Sequence, residues 1–192
     1  MHYIIVGVFG FILYFLYDYN SVTWKNPGIH RFFFSGSVIL VIATFKLIFD
    51  LRQYIKIGVQ AAPHWLFSFI LFAGLLIYTL FFSLPFDTTY VQKSEKRKVY
   101  TKGMYAICRH PGILWFIGMY FSLYLLTGHP LVLGVATVWS MLNILYVIFQ
   151  DRWVFPRTFE DYSAYQESTP FVIPNLVGLY RIIRQAEERS GL

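Results

Sequence analysis

The stretch WLFSFILFAGLLIYTLFFSLP, residues 65–85, decides the fold of this chain. It contains no charged residue, and because a helix rises about 1.5 Å per residue, a helix of this length crosses the roughly 30 Å hydrocarbon core of a bilayer. The run also lacks the polar face that a helix on the surface of a soluble protein presents. The stretch therefore predicts a transmembrane helix.

Four more apolar blocks flank this stretch, two on each side, and together they predict an all-α polytopic membrane protein of about five transmembrane helices. The composition agrees, since 57% of the residues are hydrophobic and 14% are charged, whereas soluble domains carry about 25% charged residues. We expect residues 1–192 to form a single membrane domain, in which 150–192 is an interfacial tail. The four blocks are residues 3–17, 32–49, 112–128 and 131–149.

The basic residues indicate how the helices are oriented. Thirteen of the 16 Lys and Arg residues fall in the first loop, the third loop and the tail, and three lie around the second loop. Because cytoplasmic loops are enriched in positive charge, we expect an external N-terminus and a cytoplasmic tail in a cell inner membrane. The net charge of +6 suits an anionic lipid surface, and nucleic-acid binding is not expected because the charges flank apolar spans.

Two polar segments interrupt the second half of the chain. One ends in the Arg-His-Pro motif at 109–111, and the other begins with Gln-Asp-Arg at 150–152. The fourth and fifth blocks form a hairpin about His129, and a hairpin returns its two ends to the same face, so we expect these motifs to be neighbours. Cys108 is the lone cysteine and the histidines lack metal-ligand spacing, so no metal site is expected.

This ordered set of motifs resembles the isoprenylcysteine carboxyl methyltransferase family and its relatives among the phospholipid N-methyltransferases. The resemblance covers residues 103–175. Gly103 and Tyr105 precede the Arg-His-Pro motif, His129 begins the central His-Pro, and a Phe-acidic-acidic-Tyr-x-x-Tyr run occupies 159–165. The resemblance implies a membrane enzyme that transfers a methyl group from S-adenosylmethionine to a lipid-like or small apolar acceptor.

The resemblance and the chemistry of the cofactor together imply the site residues. Arg109 and His110 are expected to bind the cofactor's carboxylate and Asp151 its ammonium. Arg109 and Asp151 are expected to approach it from opposite sides, outside the packed helix core. Asp151, Tyr146 or His110 is expected to assist if the acceptor must lose a proton. The other expected cofactor-binding residues are Pro111, Leu114, Tyr105, Gln150, Tyr162 and Tyr165.

Two other functions remain open. The family's paired glutamates are Gln150 and Asp151 here, and the arginine often found one helical turn earlier is Tyr146. A membrane protein that binds the cofactor without catalysis is therefore also compatible with the sequence. Membrane reductases that use a nicotinamide cofactor share a related C-terminal half and form the second alternative. A transporter is disfavoured, since the spans show no internal repeat.

Residues 152–175 have a pattern of their own. Aromatic residues alternate with charges over this stretch, and Pro170 and Pro174 punctuate its end. Such a composition favours a short amphipathic helix followed by an ordered strap that lies against the membrane mouth.

The charge distribution predicts the topology directly. A reporter fused after Leu192 should be active when it is one that works in the cytoplasm and inactive when it is one that requires export. The same two reporters inserted after Gln60, in the second loop, should give the inverse result. Activity of the exported reporter after Leu192 would overturn either the orientation or the number of helices.

Overall fold

The computed structural model describes residues 2–55, 63–82, 97–174 and 180. In that part of the chain the regular structure is helical, apart from one isolated bridge, so the predicted all-α fold is confirmed. The long helices are α1 (His2–Val22), α2 (Arg31–Asp50), α3 (Pro63–Ile77), α5 (Pro111–Thr127) and α6 (Pro130–Phe149). The short ones are α4 (Met104–Ile107), α7 (Phe155–Thr158) and α8 (Tyr162–Ser168), with a 3-10 turn at Arg52–Tyr54 and π turns at Tyr78–Phe82 and Gln150–Val154.

The long helices are those of an integral membrane protein. Four segments among the described residues are long and apolar enough to cross a bilayer: His2–Val22, Arg31–Asp50, Pro63–Leu80 and Pro130–Thr158. The apolar α5 is shorter, at 17 residues. Their outward faces carry large exposed apolar side chains, such as Phe34 at 72% exposure, which lipid can cover.

The first helix is longer than the sequence predicted. Its apolar block ends at Tyr17, but α1 continues through Asp18 to Val22. The helix continues past the charge because Asp18 is buried inside the bundle at 5% exposure. Residues 56–62, 83–96, 175–179 and 181–192, which include basic residues that support the predicted orientation, lie outside the described residues.

Proline and glycine fix the hairpin between α5 and α6. Each of these helices begins with a proline. Proline suits this position because the N–H of a first helical residue has no hydrogen-bond partner within the helix. The first helix of the pair ends at Gly128, whose left-handed φ of 63° lets its N–H bond the Tyr124 carbonyl at 2.7 Å. The ring of His129 then accepts the Leu131 N–H at 3.2 Å, which starts α6. The two helices therefore return to one end of the bundle.

Small residues let the helices approach closely. A Cβ added at Gly7 would lie 1.9 Å from Nε1 of Trp139, so α1 lies directly against the indole of α6. Between α1 and α2, a Cβ on Gly36 would lie 2.9 Å from the Gly10 carbonyl. Close backbone approach at small residues is the usual way in which membrane helices associate.

Polar pairs join the same helices across the bundle. The hydroxyls of Tyr14 and Ser37 lie 2.9 Å apart between α1 and α2, and those of Thr44 and Tyr120 lie 2.5 Å apart between α2 and α5. At the end of the bundle where α1 begins, the Tyr3 hydroxyl donates to Asp50. Lipid cannot hydrogen-bond these polar groups, so the helices satisfy one another's groups. The same bonds fix the register of the helices.

The contact between Gly7 and Trp139 allows a stability test. Gly7→Ala should lower the free energy of unfolding by about 1–3 kcal/mol, because the new methyl overlaps a rigid ring. Gly74→Ala is the matched control, since a Cβ there meets no atom within 4 Å. It should be neutral or stabilising by up to about 1 kcal/mol. The measurement is unfolding in detergent, and equal stability of the two variants would contradict this packing.

Candidate cofactor site at the end of the α5–α6 hairpin

The two polar motifs meet at the end of the α5–α6 hairpin, as the sequence predicted. Arg109 precedes α5 and Asp151 lies in the π turn that follows α6. The guanidinium Nε donates to Oδ1 of Asp151 at 2.8 Å, and Nη2 donates to Oδ2 at 3.1 Å. Two parallel charge-assisted bonds of this kind form the strongest common ion-pair geometry. The pair is buried, with 10% and 7% of the two side chains exposed.

Three more side chains donate to the same carboxylate. Nε2 of His110 lies 3.0 Å from Oδ1 of Asp151, and the Tyr162 hydroxyl donates to that oxygen at 2.6 Å. Nε2 of Gln166 donates to Oδ2 at 3.1 Å. A carboxylate has about four acceptor positions, so these donors and Arg109 use its full capacity. Asp151 therefore joins the start of α5, the end of α6 and α8.

The segment after α8 lies along the Arg-His-Pro motif as an ordered strap. The N–H groups of Arg109 and His110 donate to the carbonyls of Pro170 and Phe171 at 2.9 and 3.1 Å. Nη1 of Arg109 also donates to the carbonyls of Gln166 and Thr169 at 2.8 and 2.7 Å. The predicted short helix and strap are thus confirmed over residues 152–174, and Asn175 lies outside the described residues.

The geometry corrects one expectation about the ion pair. Arg109 and Asp151 were expected outside the packed core, yet they bond each other directly and are buried. Their approach to a cofactor from opposite sides stays a prediction. The physical reason is that two opposite charges taken out of water must satisfy each other, and the strap closes over them once they do. Sequence alone showed that their helix ends meet but not that the strap covers them.

The predicted tyrosines surround this cluster. The Tyr165 hydroxyl donates to the Tyr105 carbonyl at 2.6 Å, which ties α8 to α4. The Tyr105 hydroxyl donates to the Thr79 carbonyl of the π turn after α3 at 3.3 Å. Pro111 is the buried first residue of α5, and Leu114 is half-buried one turn further on and takes no part in these hydrogen bonds.

Gln150 belongs to a second, adjoining cluster that the sequence did not reveal. Its Nε2 donates to Oδ2 of Asp18 at 2.8 Å and to the Tyr146 hydroxyl at 2.9 Å. Tyr146 also hydrogen-bonds Asp18. Gln150 and Asp151 are successive residues of the π turn whose side chains point in different directions, so Gln150 faces α1 while Asp151 faces the Arg-His-Pro motif and α8. An acidic residue at the end of an apolar span was the signal available in the sequence.

Burial sets the protonation of the groups beside the strap. It lowers the pKa of His110 below its ordinary value, opposed in part by the Asp151 carboxylate, so the imidazole is neutral at pH 7. Burial and the same carboxylate raise the pKa of Tyr162, which keeps its hydroxyl a donor. Burial also raises the pKa of Cys108 to about 11, so the thiol stays protonated and is a poor nucleophile. Among the described residues no group of three or more His, Cys, Asp or Glu is placed to hold a metal ion.

These features define an all-α integral membrane protein in which two helix ends and an ordered strap enclose a buried ionic cluster. Residues 64–161, just over half of the chain, match the sequence model of the phospholipid methyltransferase family. The chain therefore belongs to the phospholipid methyltransferase family, and the resemblance recognised from its motifs is confirmed. No curated protein and no solved structure gives a significant match.

The buried pair predicts a strong stability effect. Arg109→Ala should lower the free energy of unfolding by about 3–5 kcal/mol, because it leaves Asp151 buried without its counter-charge. Arg157→Ala is the control, since that arginine is exposed and its contacts among the described residues are to the Trp153 carbonyl and ring face. Its effect should stay below about 1 kcal/mol. Denaturant unfolding of the full chain in detergent measures both, and similar small losses would show that the ion pair does not hold the strap.

Proposed function

We propose that this protein is a membrane methyltransferase that transfers a methyl group from S-adenosylmethionine to a lipid-like or small apolar acceptor. Membership in the phospholipid methyltransferase family is the observation that carries the proposal. The position of the ionic cluster supports it. The end of a lipid-facing hairpin lies near both the aqueous phase, from which a water-soluble cofactor comes, and the bilayer, from which an apolar acceptor comes.

The side chains present fit the cofactor chemically. S-adenosylmethionine combines a carboxylate, an ammonium, a sulfonium and an adenosine, and the cluster offers a guanidinium, an imidazole, carboxylate and amide oxygens, and aromatic rings. Four of the five N–H groups of Arg109 are engaged by the described residues, which leave one Nη2 hydrogen for a ligand. A Cβ at Gly103 would meet no atom within 4 Å, so there is open space beside the motif.

We assign the cofactor-binding residues accordingly. Arg109 holds the carboxylate end through its remaining Nη2 hydrogen, and His110, whose Nε2–H donates to Asp151, lines that end of the site. Gln150 supplies its amide oxygen for the ammonium, which also reaches Asp151 by replacing one of the donors on that carboxylate. The other predicted cofactor-binding residues surround the adenosine, where aromatic faces and apolar side chains exclude water. They are Tyr105, Pro111, Leu114, Tyr162 and Tyr165.

When bound, S-adenosylmethionine supplies an electrophilic methyl group, so the protein's task is to position the acceptor and exclude water. Asp151 fixes Arg109 and His110, and the strap over them closes one side of the site. An acceptor that must lose a proton requires a base, and we assign this role to the Asp151 and Tyr146 end of α6. The tail faces the cytoplasm, in keeping with the distribution of positive charge.

A protein that binds the cofactor without catalysis is the second candidate, because Gln150 replaces one of the two glutamates of the related enzymes. Cofactor affinity without methyl transfer in an acceptor screen would identify it. Membership in a methyltransferase family favours both of these functions over that of a nicotinamide-dependent reductase.

The proposal predicts calorimetric binding of S-adenosylmethionine and of its demethylated product to the purified protein. Asp151→Asn should weaken this affinity by roughly ten- to a hundred-fold in the folded fraction, the equivalent of one charge-assisted hydrogen bond of about 1.5–3 kcal/mol. Asp50→Asn is the control, because this carboxylate pairs with Lys46 at the other end of the bundle. Binding of neither compound by the natural protein would refute the methyltransferase proposal, whereas unchanged affinity in Asp151→Asn would refute only the placement of the site.

A further inference from the structure

An exposed column of aromatic rings joins α1 to the π turn after α6. The ring of Tyr19, near the end of α1, stacks on that of Trp153 at a centroid distance of 5.3 Å and an interplanar angle of 3°. Trp24, in the loop between α1 and α2, meets the Tyr19 ring edge-on at 5.0 Å. Trp24 is 59% exposed and Tyr19 is 39% exposed. Tryptophan and tyrosine close to the ends of membrane spans lie at the level of the lipid headgroups.

Three exposed cations accompany this column. Lys25 follows Trp24 in the loop, and Arg152 precedes Trp153 in the π turn. The guanidinium of Arg157 lies over the Trp153 ring, 4.8 Å from its centroid. None of the three forms an ion pair with a carboxylate in the part of the chain that the structure describes. Their positive charge is therefore available to a ligand.

The acids at this end of the bundle do not neutralise these cations. Asp18 and Asp151 are buried and accept hydrogen bonds from their own neighbours. The acids of the tail lie on segments that pack against residues 97–99 and the Arg-His-Pro motif, rather than on the aromatic column. They are Glu160, Asp161 and Glu167.

The loop places Lys25 at a conformational cost. Lys25 has a φ of 52°, in the left-handed region that residues with a side chain rarely adopt. The side chain of the fully buried Asn20 fixes the loop, because it donates to the Asn26 carbonyl at 3.0 Å and accepts the Asn26 N–H at 2.9 Å. Glycine or asparagine would adopt the conformation of Lys25 with less strain. Strained positions concentrate where function requires them, so the charge of Lys25 rather than the turn explains this residue.

We propose that this column and its cations bind the headgroup of an anionic phospholipid. The negative phosphate matches the three unpaired cations, and the exposed rings lie where the glycerol and headgroup of a lipid are found. A soluble anion would meet the cations but gain nothing from the rings, so the geometry favours a lipid. We call this the rim site, and it consists of Tyr19, Trp24, Lys25, Arg152, Trp153 and Arg157.

A lipid at the rim site bridges the first loop and the π turn, and so fastens α1 to α6. The same π turn carries Gln150 and Asp151, and Gln150 bonds Asp18 of α1 at 2.8 Å. The lipid composition of the membrane therefore regulates how firmly this end of the bundle is closed. The inference does not depend on methyl transfer.

The experiment titrates the full chain in detergent micelles with phosphatidylglycerol and, separately, with phosphatidylcholine of the same acyl chains. Native mass spectrometry gives the apparent dissociation constant of the first retained lipid, and thermal unfolding gives Tm. The natural protein should bind phosphatidylglycerol roughly tenfold more tightly or better, and its Tm should rise more with that lipid. Arg157→Gln and Lys25→Asn should each reduce the preference roughly fivefold, the loss expected for one basic residue near an anionic surface.

Arg52 provides a matched control at the opposite end of the bundle. Its Nη1 donates to the Phe49 carbonyl at 2.7 Å and its guanidinium lies 4.3 Å from that ring, the same pair of contacts that Arg157 makes with Trp153. Arg52→Gln should leave the lipid preference unchanged, because neither an exposed tryptophan nor a strained lysine accompanies it among the described residues.

Lys25→Asn separates binding from a structural role. Asparagine relieves the backbone strain, so without added lipid the Tm of this variant should be unchanged or higher, while its preference for phosphatidylglycerol falls. A parallel fall of Tm and preference would assign Lys25 to the loop's structure and contradict its part in the rim site.

Three results would overturn the rim site as a whole. They are equal affinity of the natural protein for the two lipids, equal losses of preference in Arg52→Gln and Arg157→Gln, and displacement of phosphatidylglycerol by soluble glycerol phosphate, which would show a site for a free phosphate. No S-adenosylmethionine enters these measurements, so their failure leaves the proposed function standing, and failure of that function leaves the rim site standing.

Discussion

The bidentate ion pair between Arg109 and Asp151 is the interaction on which the rest of the site depends. The bilayer provides no water to solvate a charge, so a carboxylate at the end of a membrane helix must be satisfied by the protein itself. Five donors from two parts of the chain, the Arg-His-Pro motif and α8, converge on Asp151 for this reason. α8 and the start of α5 are held together because they share this single acceptor, and the strap follows because its carbonyls accept from Arg109 and His110.

The sequence was informative where structure depends on local chemistry. The prolines that begin α5 and α6, with Gly128 and His129 between them, determine a tight hairpin, so the meeting of residues 109–111 and 150–152 was predictable. Uninterrupted apolar runs predicted the spans for the same reason. The strap was predictable in outline, because its prolines and aromatic residues lie close together in the sequence.

The sequence was uninformative where structure depends on distant packing. The bond between Asp18 and Gln150 joins residues 132 positions apart, and it forms only because α1 packs on α6. That packing depends in turn on the absence of a side chain at Gly7, whose role becomes visible only once Trp139 is seen against it. The direct contact of Arg109 with Asp151 was missed in the same way, since spacing shows which helix ends meet but not which atoms bond.

The indole of Trp139 has a practical consequence. It is fully buried, and its N–H has no hydrogen-bond partner among the described residues, because it points at the bare backbone of Gly7. An indole in so dry and apolar a setting emits at shorter wavelength than one in contact with water. Separation of α1 from α6 would expose the ring to water and move its emission to longer wavelength. The emission wavelength of Trp139 therefore reports whether the helix that carries Asp18 is packed on α6.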